Sequence, residues 1–106
     1  MPLNSFAGRL HPEKWYQKKW CEEQNGIIEY KLPDKTRVDC LTEKYAIEVD
    51  FADKWAEAIG QSLYYAYQTN RQPGIIIIME KESDDRYLKR LLVVAEELSI
   101  VVWTIK

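Results

Sequence analysis

Residues 36–67 read TRVDCLTEKYAIEVDFADKWAEAIGQSLYYAY. Two short runs, Arg37–Leu41 and Tyr45–Phe51, have the β-type pattern of apolar positions, and the polar link Thr42-Glu43-Lys44 joins them as a hairpin would. A helix-patterned run from Lys54 to Tyr67 follows at once. Three acids interrupt the apolar strands: Asp39 in the first, Glu48 and Asp50 in the second. A carboxylate inside an apolar strand is costly to bury unless a cation or a metal compensates it. That cost marks a candidate site, and the remaining segments read as its scaffold.

Working outward, Pro12 suits the first turn of a helix, and Asn25-Gly26 supplies a stop after about Gln24. Tyr16, Trp20 and Glu23 form the expected inward stripe, and Lys14, Lys18 and Lys19 a solvated lysine face. Ile27–Leu32 reads as a strand and Pro33-Asp34-Lys35 as a turn, so the three strands make an antiparallel meander. Beyond the helix, Asn70–Gly74 is a loop, and Gly74–Met79 is a continuous apolar run of the kind buried on both faces. Ser83 is the expected N-cap of a last helix, with Asp84 and Asp85 in its first turn and Leu88, Leu91, Leu92, Ala95 and Leu98 on one face. Ile100–Ile105 closes the chain. The order α-β-β-β-α-β-α-β predicts a single α/β domain over residues 1–106, with a mixed central sheet flanked by helices.

The composition is that of an ordinary globular domain: 106 residues, 46% hydrophobic and 30% charged. A net charge of −2 offers no bulk basic field, so any contact with nucleic acid must come from local patches. Cys21 and Cys40 are too few for a disulfide framework, and we expect them as reduced, half-buried thiols. With a single His11 they make no zinc set. The first residues, MPLNSFAGRL, read as irregular and lack the apolar stretch of a signal peptide, and no run is long enough for a membrane span. The expectation is a soluble cytoplasmic protein of a bacterium or of a phage-infected host cell.

If Asp39 lies opposite Glu48 in the hairpin, Leu41 faces Ala46 and Arg37 faces Asp50, and both carboxylates project to one side within reach of one cation. Asp50, two residues beyond Glu48, shares that face. On the following helix Lys54, Gln61, Tyr65 and Gln68 recur on one side, while Trp55, Ile59, Ser62, Leu63 and Ala66 form a stripe for the core. Because the helix begins three residues after Phe51, Lys54 can reach back towards the acids. Carboxylates suit a hard cation such as Mg²⁺ or Mn²⁺. With an adjacent lysine, they are the parts that metal-assisted phosphodiester hydrolysis requires. Gln61 and Tyr65 are candidates for holding the phosphate or the nucleic-acid backbone.

Arg37-Val38-Asp39, Ala46-Ile47-Glu48-Val49-Asp50 and Gln61-Ser62-Leu63-Tyr64-Tyr65 together resemble the PD-(D/E)XK nuclease superfamily, over roughly Pro12 to Lys106. The Gln61…Tyr65 spacing is similar to the QxxxY helix motif of its RecB-like branch. The resemblance implies a restriction-endonuclease-like core, a Mg²⁺-dependent nuclease acting on DNA, and Asp39 and Glu48 as metal ligands with the Val49 carbonyl as a third. The chain departs from the pattern at Asp50, where the family has lysine. Lys54 is the candidate replacement, and the alternative is a catalytically degenerate module that docks nucleic acid or a protein. The resemblance also implies a further glutamate at the site, with Glu22, Glu23 and Glu29 as candidates. A chain this small covers few base pairs, so recognition by DNA structure, or a homodimer when both strands are cut, is expected. A purely structural alternative pairs the acids with Arg37 and Lys54.

Overall fold

The computed structural model describes residues 9–106, so the reading of residues 1–8 as irregular lies outside it. The elements are α1 (Glu13–Glu23), β1 (Ile27–Lys31), β2 (Arg37–Leu41), β3 (Tyr45–Phe51), α2 (Trp55–Thr69), β4 (Gln72–Ile78), α3 (Asp85–Leu98) and β5 (Val101–Ile105). Short 3₁₀ turns, Ala52–Lys54 and Glu82–Asp84, lead into α2 and α3. The strands lie in the order β1-β2-β3-β4-β5, antiparallel across β1-β2-β3 and parallel across β3-β4-β5. The chain is therefore of the α/β class with a mixed sheet, as the pattern of segments predicts.

The sheet separates two cores. On one face α1 lays Tyr16 and Cys21 against Cys40, Ile47, Val49, Phe51, Ile76 and Ile78. On the other, α2 and α3 bring Ala58, Leu91 and Ala95 onto Ile75 and Ile77. The alternation explains why Ile75–Ile78 are all fully buried: successive side chains enter opposite cores. All three helices end in a left-handed residue, Asn25, Asn70 or Ser99, and the next N–H returns to the carbonyl five residues back (Gly26 to Cys21, Arg71 to Ala66, Ile100 to Ala95). Ser83 does not cap α3. The buried Asp84 carboxylate accepts instead from the Glu80 and Lys81 N–H groups, tying the turn to the end of β4.

The two cysteines are not reduced thiols. Cys21 of α1 and Cys40 of β2 form a disulfide, both fully buried, with Cα atoms 5.8 Å apart. The pairing needs α1 to lie flat across β2, which no local pattern specifies. Gly26 belongs to the same arrangement, since a Cβ there would sit 2.5 Å from the Cys40 sulfur and 2.7 Å from that of Cys21. Burial under α1 keeps reductants away until that helix lifts. Closing a loop of this length stabilises by about 3 kcal/mol on a chain-entropy basis. Cys40→Ser is expected to cost stability of that order in a urea titration, and the unreduced wild type to show no free thiol by mass spectrometry after alkylation.

Candidate functional site

The site forms where β2 and β3 part. Their ladder pairs Cys40 with Ile47 and Leu41 with Ala46, the register in which Asp39 stands opposite Glu48. At that point backbone pairing gives way to side chains. The Val49 N–H donates to Asp39 Oδ2 at 2.9 Å, and the Asp39 N–H donates to Glu48 Oε2 at 3.1 Å. The two carboxylates cross-strap the strands, and each has a second oxygen, Asp39 Oδ1 and Glu48 Oε1, outside that pair of bonds.

The backbone is turned at the same place. Glu29, opposite Asp39 on β1, has φ of 55°, a left-handed conformation uncommon for a residue with a side chain. Its carboxylate accepts from the buried Gln17 amide at 2.7 Å, and the same amide donates to the Asp39 carbonyl at 2.9 Å. Gln17 thus fixes the Asp39 main chain from α1, a role with no local signal in the sequence.

Asp50 is buried two residues beyond Glu48. It is hydrogen-bonded to Glu13, which reaches in from the first turn of α1, and burial raises both carboxyls above their ordinary range. Glu13 is the glutamate that joins the cluster. Of the three expected candidates, Glu22 and Glu23 are exposed on α1, so the inward stripe ends before Glu23. Glu29 lies near enough for its charge to bear on Asp39 and Glu13. The signal for Glu13 was its place one residue after Pro12, in phase with Tyr16, Gln17 and Trp20.

Burial is the first cause of the site's electrostatics, and mutual repulsion adds to it. Desolvation together with Glu13 and Glu29 lifts Asp39 to about 7. Desolvation, Asp39, Asp50 and Glu13 lift Glu48 to about 9. Asp50, desolvated and facing Glu13, rises to about 8. The opposing cations are weak: Lys54 lowers Asp50 and Glu13, and Lys14 lowers Asp39. Lys54 is exposed and forms no ion pair with the acids among the described residues, although its charge reaches two of them. Arg37 does not face Asp50 as an ion pair; its guanidinium lies 3.9 Å from Glu29. The purely structural pairing of these acids with Arg37 and Lys54 is therefore absent.

Tyr65 and Gln61 part company. Tyr65 is buried against Val38, Leu41 and Ala46, and Glu48 is the nearest charge acting on its phenol, which burial raises further. Gln61, one turn earlier, is exposed, as is Gln68. The four residues expected on one helical side thus divide between core and surface.

The carboxylates are hard oxygen donors, and among the described residues Asp39, Glu48, Asp50 and Glu13 have no counter-charge in contact, which fits Mg²⁺ or Mn²⁺. Among the described residues no three His, Cys, Asp or Glu side chains stand as a ready-made metal cage. Mg²⁺ does not require one, since it is commonly held by one or two carboxylates and its own waters. A cavity of about 670 Å³ lies elsewhere, between Met79, Glu80, Leu88 and Lys106 at the ends of β4 and β5, and includes none of the clustered acids.

No family model and no solved structure matches the chain. Over 84 residues it is 33% identical to a putative KilA-N domain-containing protein of Acanthamoeba polyphaga mimivirus; the match covers 79% of this chain and 22% of that protein. The chain thus spans about a fifth of the length of the curated relative it matches. Among the described residues no helix is long and apolar enough to cross a membrane.

A carboxyl whose pKa is raised by folding holds protons that the unfolded chain releases, so each of these groups lowers stability as pH climbs from its unfolded value to its folded one. In EDTA the thermal midpoint is therefore expected to fall between pH of about 4 and about 9. Glu48→Gln, which keeps the acceptor for the Asp39 N–H, is expected to flatten that decline. Mn²⁺ at pH 8 is expected to raise the wild-type midpoint and to leave that of Glu48→Gln nearly unchanged; calorimetric scans at several pH values read both.

Proposed function

We propose that the chain is a Mg²⁺- or Mn²⁺-dependent nuclease of the PD-(D/E)XK type acting on DNA phosphodiester bonds. The observation that carries the reading is the cluster of buried Glu48 and Asp50 with half-buried Asp39 and Glu13 at the parting of β2 and β3. The element order, α-β-β-β-α-β, also supports the family resemblance. Asp39 and Glu48 would hold the metal through the oxygens outside their backbone bonds. Bound there, the metal would polarise the scissile phosphate and lower the pKa of a water.

The chain's own groups supply the rest. The Glu13–Asp50 pair holds one proton between two carboxyls and can exchange it with a neighbouring water. Lys54, exposed at the rim, sets its ammonium against charge developing on phosphate. Tyr65 backs Glu48 from the core, and the exposed Gln61 amide faces the side from which a DNA backbone would approach. The working location is the cytoplasm of a cell or of an infected host, and the viral relative supports that setting. Cutting both strands calls for a homodimer.

The departure at Asp50 favours a second reading, a module of the same fold that binds nucleic acid or a protein without cutting. Incubation with plasmid and branched DNA in Mg²⁺ or Mn²⁺ separates the two. The wild type should nick, Asp39→Ala and Glu48→Ala should lose activity altogether, and Lys54→Ala should fall by about 10²–10³-fold. Equal cleavage by all of them would mean a contaminant, and no cleavage by the wild type would leave the binding module.

A further inference from the structure

The helix α1 has two faces with different chemistry. Glu13, Tyr16, Gln17, Trp20 and Cys21 point to the sheet. The opposite face carries Lys14, Trp15, Lys18 and Lys19, all exposed, with His11 just before the helix. Trp15 is 42% exposed although it is among the most apolar side chains of the molecule. Its ring stacks on His11 with centroids 3.7 Å apart and planes 15° from parallel, and the Lys19 ammonium lies 5.2 Å from the ring centroid. A shallow groove of about 540 Å³ runs over Trp15, Lys18 and Lys19 and is closed at its far end by Glu22 and Glu23.

These lysines have no local reason to be there. None forms an ion pair among the described residues. Lys18 and Lys19 precede Glu22 and Glu23 by four, the less favourable order for a helical pair. Lys14 stands in the first turn, where the helix dipole disfavours a cation. A row of cations without ion pairs among the described residues, beside an exposed aromatic stack, matches a polyanion with flat rings. Polynucleotide without a complementary strand has both features accessible, whereas duplex hides its ring faces.

We propose that the outer face of α1 binds single-stranded nucleic acid, with unpaired bases stacking on the His11–Trp15 platform and phosphates running along Lys14, Lys18 and Lys19. The proposal rests on the reading that the chain acts on nucleic acid, and it narrows the substrate to one with an unpaired segment: a free end, a flap or a branch. Lys14 stands beside Glu13 in the first turn of α1, so this surface adjoins the acid cluster.

The test uses the full chain carrying Glu48→Ala in EDTA, so that no cleavage intervenes. Fluorescence anisotropy follows a labelled DNA oligonucleotide of about 16 nucleotides and a hairpin duplex of the same sequence. The single strand should bind more tightly than the hairpin. Trp15→Ala should weaken the single strand by about tenfold, Trp15→Phe much less, and neither should alter hairpin binding. Lys18→Ala with Lys19→Ala should reduce the salt slope for the single strand by about 1.4. Should Trp15→Ala fail to fold by circular dichroism, Trp15→Phe and the salt slope still decide the matter. Binding of the hairpin at least as tightly as the single strand, an unchanged affinity in folded Trp15→Ala, an unchanged salt slope, or no binding at all would overturn the proposal. Failure of the nuclease reading looks different: a wild type that binds the single strand through Trp15 but cuts nothing in Mg²⁺.

Discussion

Four carboxyl groups meet in one poorly solvated gap, and the cost of desolvating them, to which their mutual repulsion adds, is the constraint around which this molecule is arranged. Glu48 and Asp50 are buried on β3, Asp39 meets them from β2, and Glu13 enters from α1. In water each would be ionised at neutral pH. Here desolvation and proximity leave the cluster holding protons that it would surrender to any strong cation. A fold optimised only for stability would replace such groups with apolar ones, because a buried charge without a partner in contact is a standing cost. Its persistence is a reason to look for chemistry at this place.

The surrounding structure bears that cost by over-determining the geometry. Asp39 and Glu48 take N–H groups that an ordinary ladder would give to carbonyls, so the strands stay joined where their backbones separate. The Gln17 amide, itself buried, grips the Asp39 carbonyl and the Glu29 carboxylate together. The Cys21–Cys40 disulfide pins α1 to β2 one residue from Asp39. Behind all of this, the parallel pairing of β3 with β4 runs from Tyr45–Gln72 to Phe51–Ile78, a rigid backing for the acids on β3.

The helix α1 connects this interior with the surface. Its inner side contributes a carboxyl, an amide, an aromatic ring and a sulfur to the packed side of the site, while its outer side displays cations and an aromatic stack. One rigid element therefore links what happens in the gap to what lies on the outside. The net charge of the chain does not show this division, since Glu48 and Asp50 are buried while Lys14, Lys18 and Lys19 stand exposed on α1.

Element order, the limits of β2 and β3, the parity that puts Glu48 and Asp50 on one side, and the register opposing Asp39 to Glu48 were all legible in the sequence, because period, turn residues and side-chain alternation are local properties. The place of Lys54 just after β3 was legible for the same reason, through the short link after Phe51, whereas its exposed side chain forms no ion pair with the acids among the described residues. Three things were settled only by tertiary packing. Glu13, rather than Glu22 or Glu23, enters the cluster because the angle at which α1 crosses the sheet selects which turn meets β3. Cys21 and Cys40 pair because that same crossing stacks residues nineteen apart in the chain. Tyr65 is buried while Gln61 stays outside because α2 packs Tyr65 and Ala66 onto Val38, Leu41 and Ala46. Each depends on the orientation of a helix against a sheet, a quantity that arises from the sum of many side-chain contacts and that no single stretch of sequence contains.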